Sequence, residues 1–203
     1  MPACMKPNNK RKIIGLCGGS GSGKSTLSAL LQEKGAEILD ADRIARSFTE
    51  PDSSALPQLR KAFGDGVFYP DQTLNRQALA ALVFSNPEQL KQLNALIHPK
   101  VTEEIKSRLQ TSRANIIIID APLLQQAGLD RLCDLTVCVT APKELRIERI
   151  MRRDHISYEA AAARIDAQPS EKEYQQGADL VVCNDGSCPP EALIQIILRS
   201  DKL

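Results

Sequence analysis

Between residues 18 and 25 the chain reads Gly-Gly-Ser-Gly-Ser-Gly-Lys-Ser, and this run constrains the fold more than any other. It matches G-x-x-x-x-G-K-[ST], a phosphate-binding loop that needs a buried strand before it and a helix after it. Both are legible. Lys12-Ile-Ile-Gly-Leu-Cys17 is a short apolar run that stops at the glycines. Lys24 to Lys34 then carries Leu27, Leu30 and Leu31 at helical spacing, with Gly35 as a stop. Glycines let backbone N–H groups curl around phosphate oxygens without a Cβ in the way. The following helix adds unsatisfied donors and a partial positive charge. Gly21, Ser22, Gly23, Lys24, Ser25 and Thr26 are therefore the candidate nucleotide-binding residues. Lys24, at the surface of the cradle, reaches the terminal phosphates, and the Ser25 hydroxyl ligates Mg²⁺.

The rest of the chain continues the same rhythm. Glu37-Ile-Leu-Asp40, Asn115 to Asp120, Leu135 to Thr140 and Asp179 to Cys183 read as four further strands. Ile116-Ile-Ile-Ile119 has no polar alternation, as in a strand covered on both faces. Helical segments near 143–153 and 190–199 separate the later strands. The fold class is α/β: a doubly wound, mainly parallel five-stranded sheet of the P-loop type. From about residue 50 to 110 no strand is expected. Gln77 to Phe84 and Glu88 to Leu109 read as helices, with Pro99 kinking or splitting the second. A second polar, helical interruption runs from about Asp154 to Gln176.

Composition narrows the function. Lys plus Arg number 26 and Asp plus Glu 25, so no broad basic footprint for nucleic acid is present. Aromatic residues are only 3% of the chain, too few for a base-stacking platform. No apolar run reaches the ~18 residues of a membrane span. Residues 1–12 are polar and basic without an apolar core, which reads as a solvated tail and points to the cytoplasm. The six cysteines form no C-x-x-C pair and read as reduced, small hydrophobes. No switch or guanine-recognition motif of a signalling GTPase is found, which leaves a small-metabolite kinase as the best fit.

Three further groups carry possible chemistry. Asp40 and Asp42 flank the carboxyl end of the second strand, where open α/β sheets bind ligands. Either could accept a proton or organise Mg²⁺, and either could simply cap the next helix. Asp120 ends the third strand, as a Mg²⁺-organising acid or a turn residue before Pro122. Arg146, Arg149 and Arg153 fall at i, i+3 and i+7 on one helix face. Guanidinium forks there could stabilise the charge of a migrating phosphoryl group, or pair with Glu144, Glu148 and Asp154 at a solvated face.

Taken together, these residues resemble the dephospho-CoA kinase family. The opening Ile14-Gly-Leu-Cys-Gly-Gly-Ser-Gly-Ser-Gly-Lys-Ser25 is similar to its G-L-T-G-G-I-G-S-G-K-S, and Asp40-Ala-Asp-Arg-Ile-Ala-Arg46 to its D-A-D-x-I-A-R. Phe63-Gly64, His98-Pro99, Pro122-Leu-Leu124, Arg152-Arg-Asp154, Arg164-Ile165 with Gln168, and Asn184-Asp-Gly186 follow in the family's order. The resemblance implies transfer of phosphate from ATP, with Mg²⁺, to the 3′-hydroxyl of dephospho-CoA. It implies Asp42 as base or Mg²⁺-organising acid, and Lys24, Arg149 and Arg153 as catalytic charge stabilisers. It places His98, Pro122 and Leu123 with Asp42 at the acceptor. It implies a core of residues 12–48, 111–153 and 177–203, a helical CoA-substrate domain at 49–110, a lid at 154–176 and a disordered tail at 1–11. Five residues depart from the pattern: Cys17 stands for Thr, Ser20 for Ile, Gln125-Gln126 for Phe-Glu, and Asp185 for Asn. Oligomeric state is left open.

Overall fold

The structure is a computed structural model and describes residues 11–200. The expected tail at 1–11 thus lies, except for Arg11, outside the described residues, as does Cys4. The described residues form two compact units, one of residues 11–39 with 113–200, the other Asp40–Ser112.

The first unit is built on five strands: β1 (Lys12–Cys17), β2 (Glu37–Asp40), β3 (Ile116–Asp120), β4 (Leu135–Thr140) and β5 (Leu180–Cys183). Their order across the sheet is β2-β3-β1-β4-β5. β1 runs parallel to β3 and β4, and β4 parallel to β5. β1 is central and buried on both faces, as its short apolar sequence requires. Alternation sorts its side chains. Ile14 and Leu16 join Ile118, Leu135, Val137 and Val139 in one cluster, closed by Leu27 and Leu31 of α1 (Lys24–Glu33) and by Leu193, Ile194 and Ile197 of α9 (Pro190–Arg199). Gly15 and Cys17 face the other way. A Cβ at Gly15 would meet the Cys133 Sγ at 2.8 Å and Leu124, so the segment after β3 packs directly on the strand backbone.

Past β4 the chain forms α6 (Lys143–Asp154), α7 (Tyr158–Asp166) and α8 (Glu171–Gln175). The polar stretch from 154 is helical as expected, and it has a small core. Ile147 and Ile150 of α6 bury against Ala161 and Ile165 of α7.

The second unit holds α2 (Ala41–Ser47), α3 (Leu56–Phe63), α4 (Arg76–Phe84) and α5 (Pro87–Thr111). It contains the 49–110 segment and also takes in α2. An isolated antiparallel bridge, Phe68 to Leu74, is found there. Of the two expectations for Pro99, a kink or a split, the split does not occur: α5 runs unbroken through it. Proline costs about 3 kcal/mol inside a helix. Ile97, Val101, Ile105 and Leu109 flank it and are buried, each worth about 1.5–3 kcal/mol, so packing outweighs the lost bond.

Candidate active site

The carboxyl ends of parallel strands share one edge, and the phosphate loop leaves β1 there. Gly23 is the N-cap of α1, at φ 92°, with no side-chain cap. The first main-chain bond of the helix is Leu27 N–H to Gly23 O, at 3.1 Å. The N–H groups of Lys24, Ser25 and Thr26 therefore project from the helix end, and Ser25 and Thr26 are exposed. The glycines answer a demand from behind the loop. A Cβ at Gly21 would lie 2.9 Å from the Arg146 Cα, and one at Gly23 would collide with the Asn184 amide. Arg146 and Asn184 thus exclude a side chain at these two positions.

Lys24 is not at the surface as expected. Its ammonium donates to the Asp120 carboxylate, and the two side chains are only 13% and 11% exposed. Asp120 sits opposite Leu16 in the β3–β1 register, so the strand pairing itself delivers the acid to the loop. Cys17, the residue before the loop, faces Cys138 across β1 and β4. The bond with Cys138 holds the Cys17 thiol below its ordinary range against the effect of burial, and raises that of Cys138. Both remain free thiols, as do Cys133, Cys183 and Cys188.

The arginine stripe divides by depth. Arg146 is buried and donates to Ser20 O at 2.8 Å and to Gln168 Oε1 at 3.1 Å. Arg149 donates to Gly21 O, Ser22 O and Asn184 O at 3.2, 3.3 and 3.0 Å. Asn184 in turn donates to Ser22 O at 3.0 Å. Arg153 forks onto Asp154 at 2.7 and 2.9 Å, and Arg164 meets the same carboxylate. The solvated-face reading thus describes Arg152 and Arg153, exposed and paired with Glu148 and Asp154, but not Arg146 or Arg149. A cleft of about 330 Å³ opens beside the loop, lined by Gly23, Ser25, Thr26, Arg149, Arg153 and Asn184.

Asp40 caps α2, accepting from Arg43 N–H at 2.9 Å, while Asp42 is an exposed residue of the first turn. Asp42 and His98 both belong to the second unit. His98 lies on α5, and burial lowers its pKa. In the first unit, Pro122 is half-buried and Leu123 exposed, just past β3, above the buried Leu124. Gln125, at a departure from the family pattern, donates to the Cys17 Sγ at 3.8 Å.

The comparisons with known proteins bear on this geometry. The family model described as dephospho-CoA kinase matches residues 12–190. The chain belongs to that family. A dephospho-CoA kinase of Anaeromyxobacter dehalogenans is 42% identical over 185 residues, covering 90% of this chain and 87% of that protein. A solved structure from Thermus thermophilus superposes with a TM-score of 0.80 at 37% identity, covering 93% of this chain and 97% of that one. The solved dephospho-CoA kinase from Campylobacter jejuni gives 0.65 at 27% identity, covering 92% and 95%. The chain is accordingly a nucleotide-using kinase with the expected α/β P-loop fold. Among the described residues no helix is long and apolar enough to cross a membrane.

Sequence reasoning gave no role to Gln168 beyond its place in the family order, nor to Arg146 beyond the stripe. Their signal was the family order and the i, i+3 spacing, and neither says what the side chains touch.

Proposed function

We propose that the chain transfers the terminal phosphoryl group of ATP to the 3′-hydroxyl of the ribose in dephospho-CoA, giving coenzyme A and ADP. The observation that carries this reading is the loop at the carboxyl edge of β1. There the uncapped end of α1 lines the cleft, and Lys24, the first residue of that helix, holds Asp120. The substrate hydroxyl is the nucleophile, so no covalent enzyme intermediate is needed. Catalysis is positioning and charge stabilisation. Lys24 releases Asp120 and turns to the terminal phosphates. Arg149 and Arg153 flank the cleft and offset charge on the nucleotide.

Oxygen donors suit Mg²⁺, and the unit that carries the loop offers Ser25 Oγ with the carboxylate of Asp120. Among the described residues no cluster of three or more His, Cys, Asp and Glu could form a cage, so the nucleotide's phosphates would complete the shell. When bound, Mg²⁺ supplies charge neutralisation of the phosphate oxygens. Asp42 orients the acceptor hydroxyl and takes its proton, with His98, Pro122 and Leu123 as further acceptor contacts. Residues 154–176 act as the lid.

The test is ADP release in the presence of ATP and a panel of acceptors, with the product located by phosphorus NMR. Dephospho-CoA should be the preferred acceptor and the new phosphate should sit on the 3′-oxygen. A nucleoside or nucleotide acceptor preferred over it would replace this reading. Asp42→Asn should lower turnover by roughly 10²-fold or more with the acceptor still bound. A crippling Asp40→Asn beside a mild Asp42→Asn would reverse the assignment.

A further inference from the structure

Ser20 lies between Gly19 and Gly21, so nothing in the adjoining side chains restrains its backbone. Its polar groups are nonetheless all engaged from outside the loop. Ser20 N–H donates to Gln168 Oε1 at 3.0 Å, and Gln168 Nε2 donates to Ser20 Oγ at 2.6 Å. Arg146 Nε donates to Ser20 O at 2.8 Å, and Arg146 Nη2 donates to Gln168 Oε1 at 3.1 Å. The four bonds close a ring over the loop, α6 and the residues just past α7. The ring also orients the Gln168 amide. Its oxygen must face two donors, the Ser20 N–H and the guanidinium. Both oxygens that Arg146 meets are neutral, so neither cancels its charge.

We propose that Gln168 is a positioning residue for phosphoryl transfer. With Arg146 it fixes the backbone at Ser20 and couples the phosphate loop to the segment after α7. The proposal rests on the phosphoryl-transfer reading above. Two consequences follow from the geometry. The Ser20 N–H is committed to Gln168, and the Ser22 N–H to Gly19 O at 3.2 Å, so neither reaches a phosphate oxygen without first giving up that bond. Any movement of residues 167–170 away from the loop must also break two bonds at Ser20, so such a movement changes the cradle itself. Gln168 is half-buried and stands apart from the apolar core of α6 and α7, which is made by Ile147, Ile150, Ala161 and Ile165. Its loss should therefore disturb the loop and spare the fold.

The experiment compares wild type, Gln168→Leu, Ser20→Ala and the double variant, all as the full chain. It reads kcat, both KM values, ADP affinity by calorimetry and the thermal midpoint. Gln168→Leu should lower kcat about tenfold to a hundredfold, as expected for a displaced phosphate cradle. ADP affinity should weaken about tenfold, while the KM for dephospho-CoA stays within about twofold. The midpoint should stay within about 2 °C. Ser20→Ala keeps the N–H bond and should cost less, and the double variant should be no worse than Gln168→Leu alone. Unchanged kcat and ADP affinity in Gln168→Leu would overturn the proposal. So would activity lost only in step with the midpoint, or Ser20→Ala and Gln168→Leu effects that simply add. A wild-type chain inactive on dephospho-CoA would sink the functional reading instead, and ADP affinity would still decide the role of Gln168.

Discussion

Lys24 and Asp120 stand 96 positions apart, and their pairing is the contact that sequence inspection could not supply. Each residue was legible alone, from the loop motif and from the end of an apolar strand. Only the β1–β3 register brings them together. The pairing changes what a Lys24 substitution should do. Lys24→Met removes the phosphate contact and also leaves a mostly buried carboxylate without its partner. A buried charged group left unsatisfied costs about 1–3 kcal/mol, so the ligand-free variant should melt lower than wild type. Lys24→Met with Asp120→Asn removes the stranded charge and should recover most of that loss without recovering turnover. Thermal melts of the two variants beside wild type, with turnover measured in parallel, check this. A double variant no more stable than the single one would show that the pair contributes nothing to the ligand-free fold.

At the level of elements, the join between α6 and α7 gathers the charge. Asp154 ends α6 and accepts from Arg153 and Arg164, and Arg153 lowers its pKa to about 2, with Arg164 adding to the effect. The sign follows from the direction. A carboxylate held below its unfolded value contributes stability above the ordinary range near 3.9, and that contribution fades as pH falls towards 2. A carboxyl-detected NMR titration should find Asp154 ionised at pH 3, and Arg153→Ala should bring its midpoint up towards the ordinary range. A wild-type midpoint near 3.9 would mean that the forked bonds do not persist in solution. The next residue, His155, caps α6 in the left-handed region at φ 54°. Glycine takes that conformation without a Cβ penalty, so His155→Gly should stabilise by about 0.5–1 kcal/mol. That is a rise of about 2 °C for a chain of this size, read by thermal melt, and a fall would show that the imidazole makes a compensating contact. The helix stop itself was readable in sequence, whereas the residue that adopts positive φ was not, because His rarely does so.

For the molecule as a whole, strands were the easiest features to read, because runs such as Ile116 to Ile119 admit little else. The helical insertion was legible as an absence of strands, but the compact unit begins at Asp40, where the helix cap leaves β2, and not at 49. That division makes a prediction about where each substrate acts. The phosphate loop, Lys24, Asp120, Arg146, Arg149 and Asn184 all belong to the unit of residues 11–39 and 113–200. Asp42 and His98, the candidate acceptor residues, belong to the other. Ligand binding raises the free energy of the openings that release it, and amide exchange slows where those openings occur. ADP alone should therefore slow exchange in the loop, in the first turn of α1 and around Asn184, with little change across α3 to α5. Adding dephospho-CoA should extend the protection to α2 and α5. Exchange followed by mass spectrometry on the full chain separates these regions. If ADP alone protects α5 as strongly as α1, the nucleotide contacts are not confined to the unit that carries the loop. If dephospho-CoA adds protection only within 113–203, then Asp42 and His98 are not its contacts and the acceptor binds against the sheet.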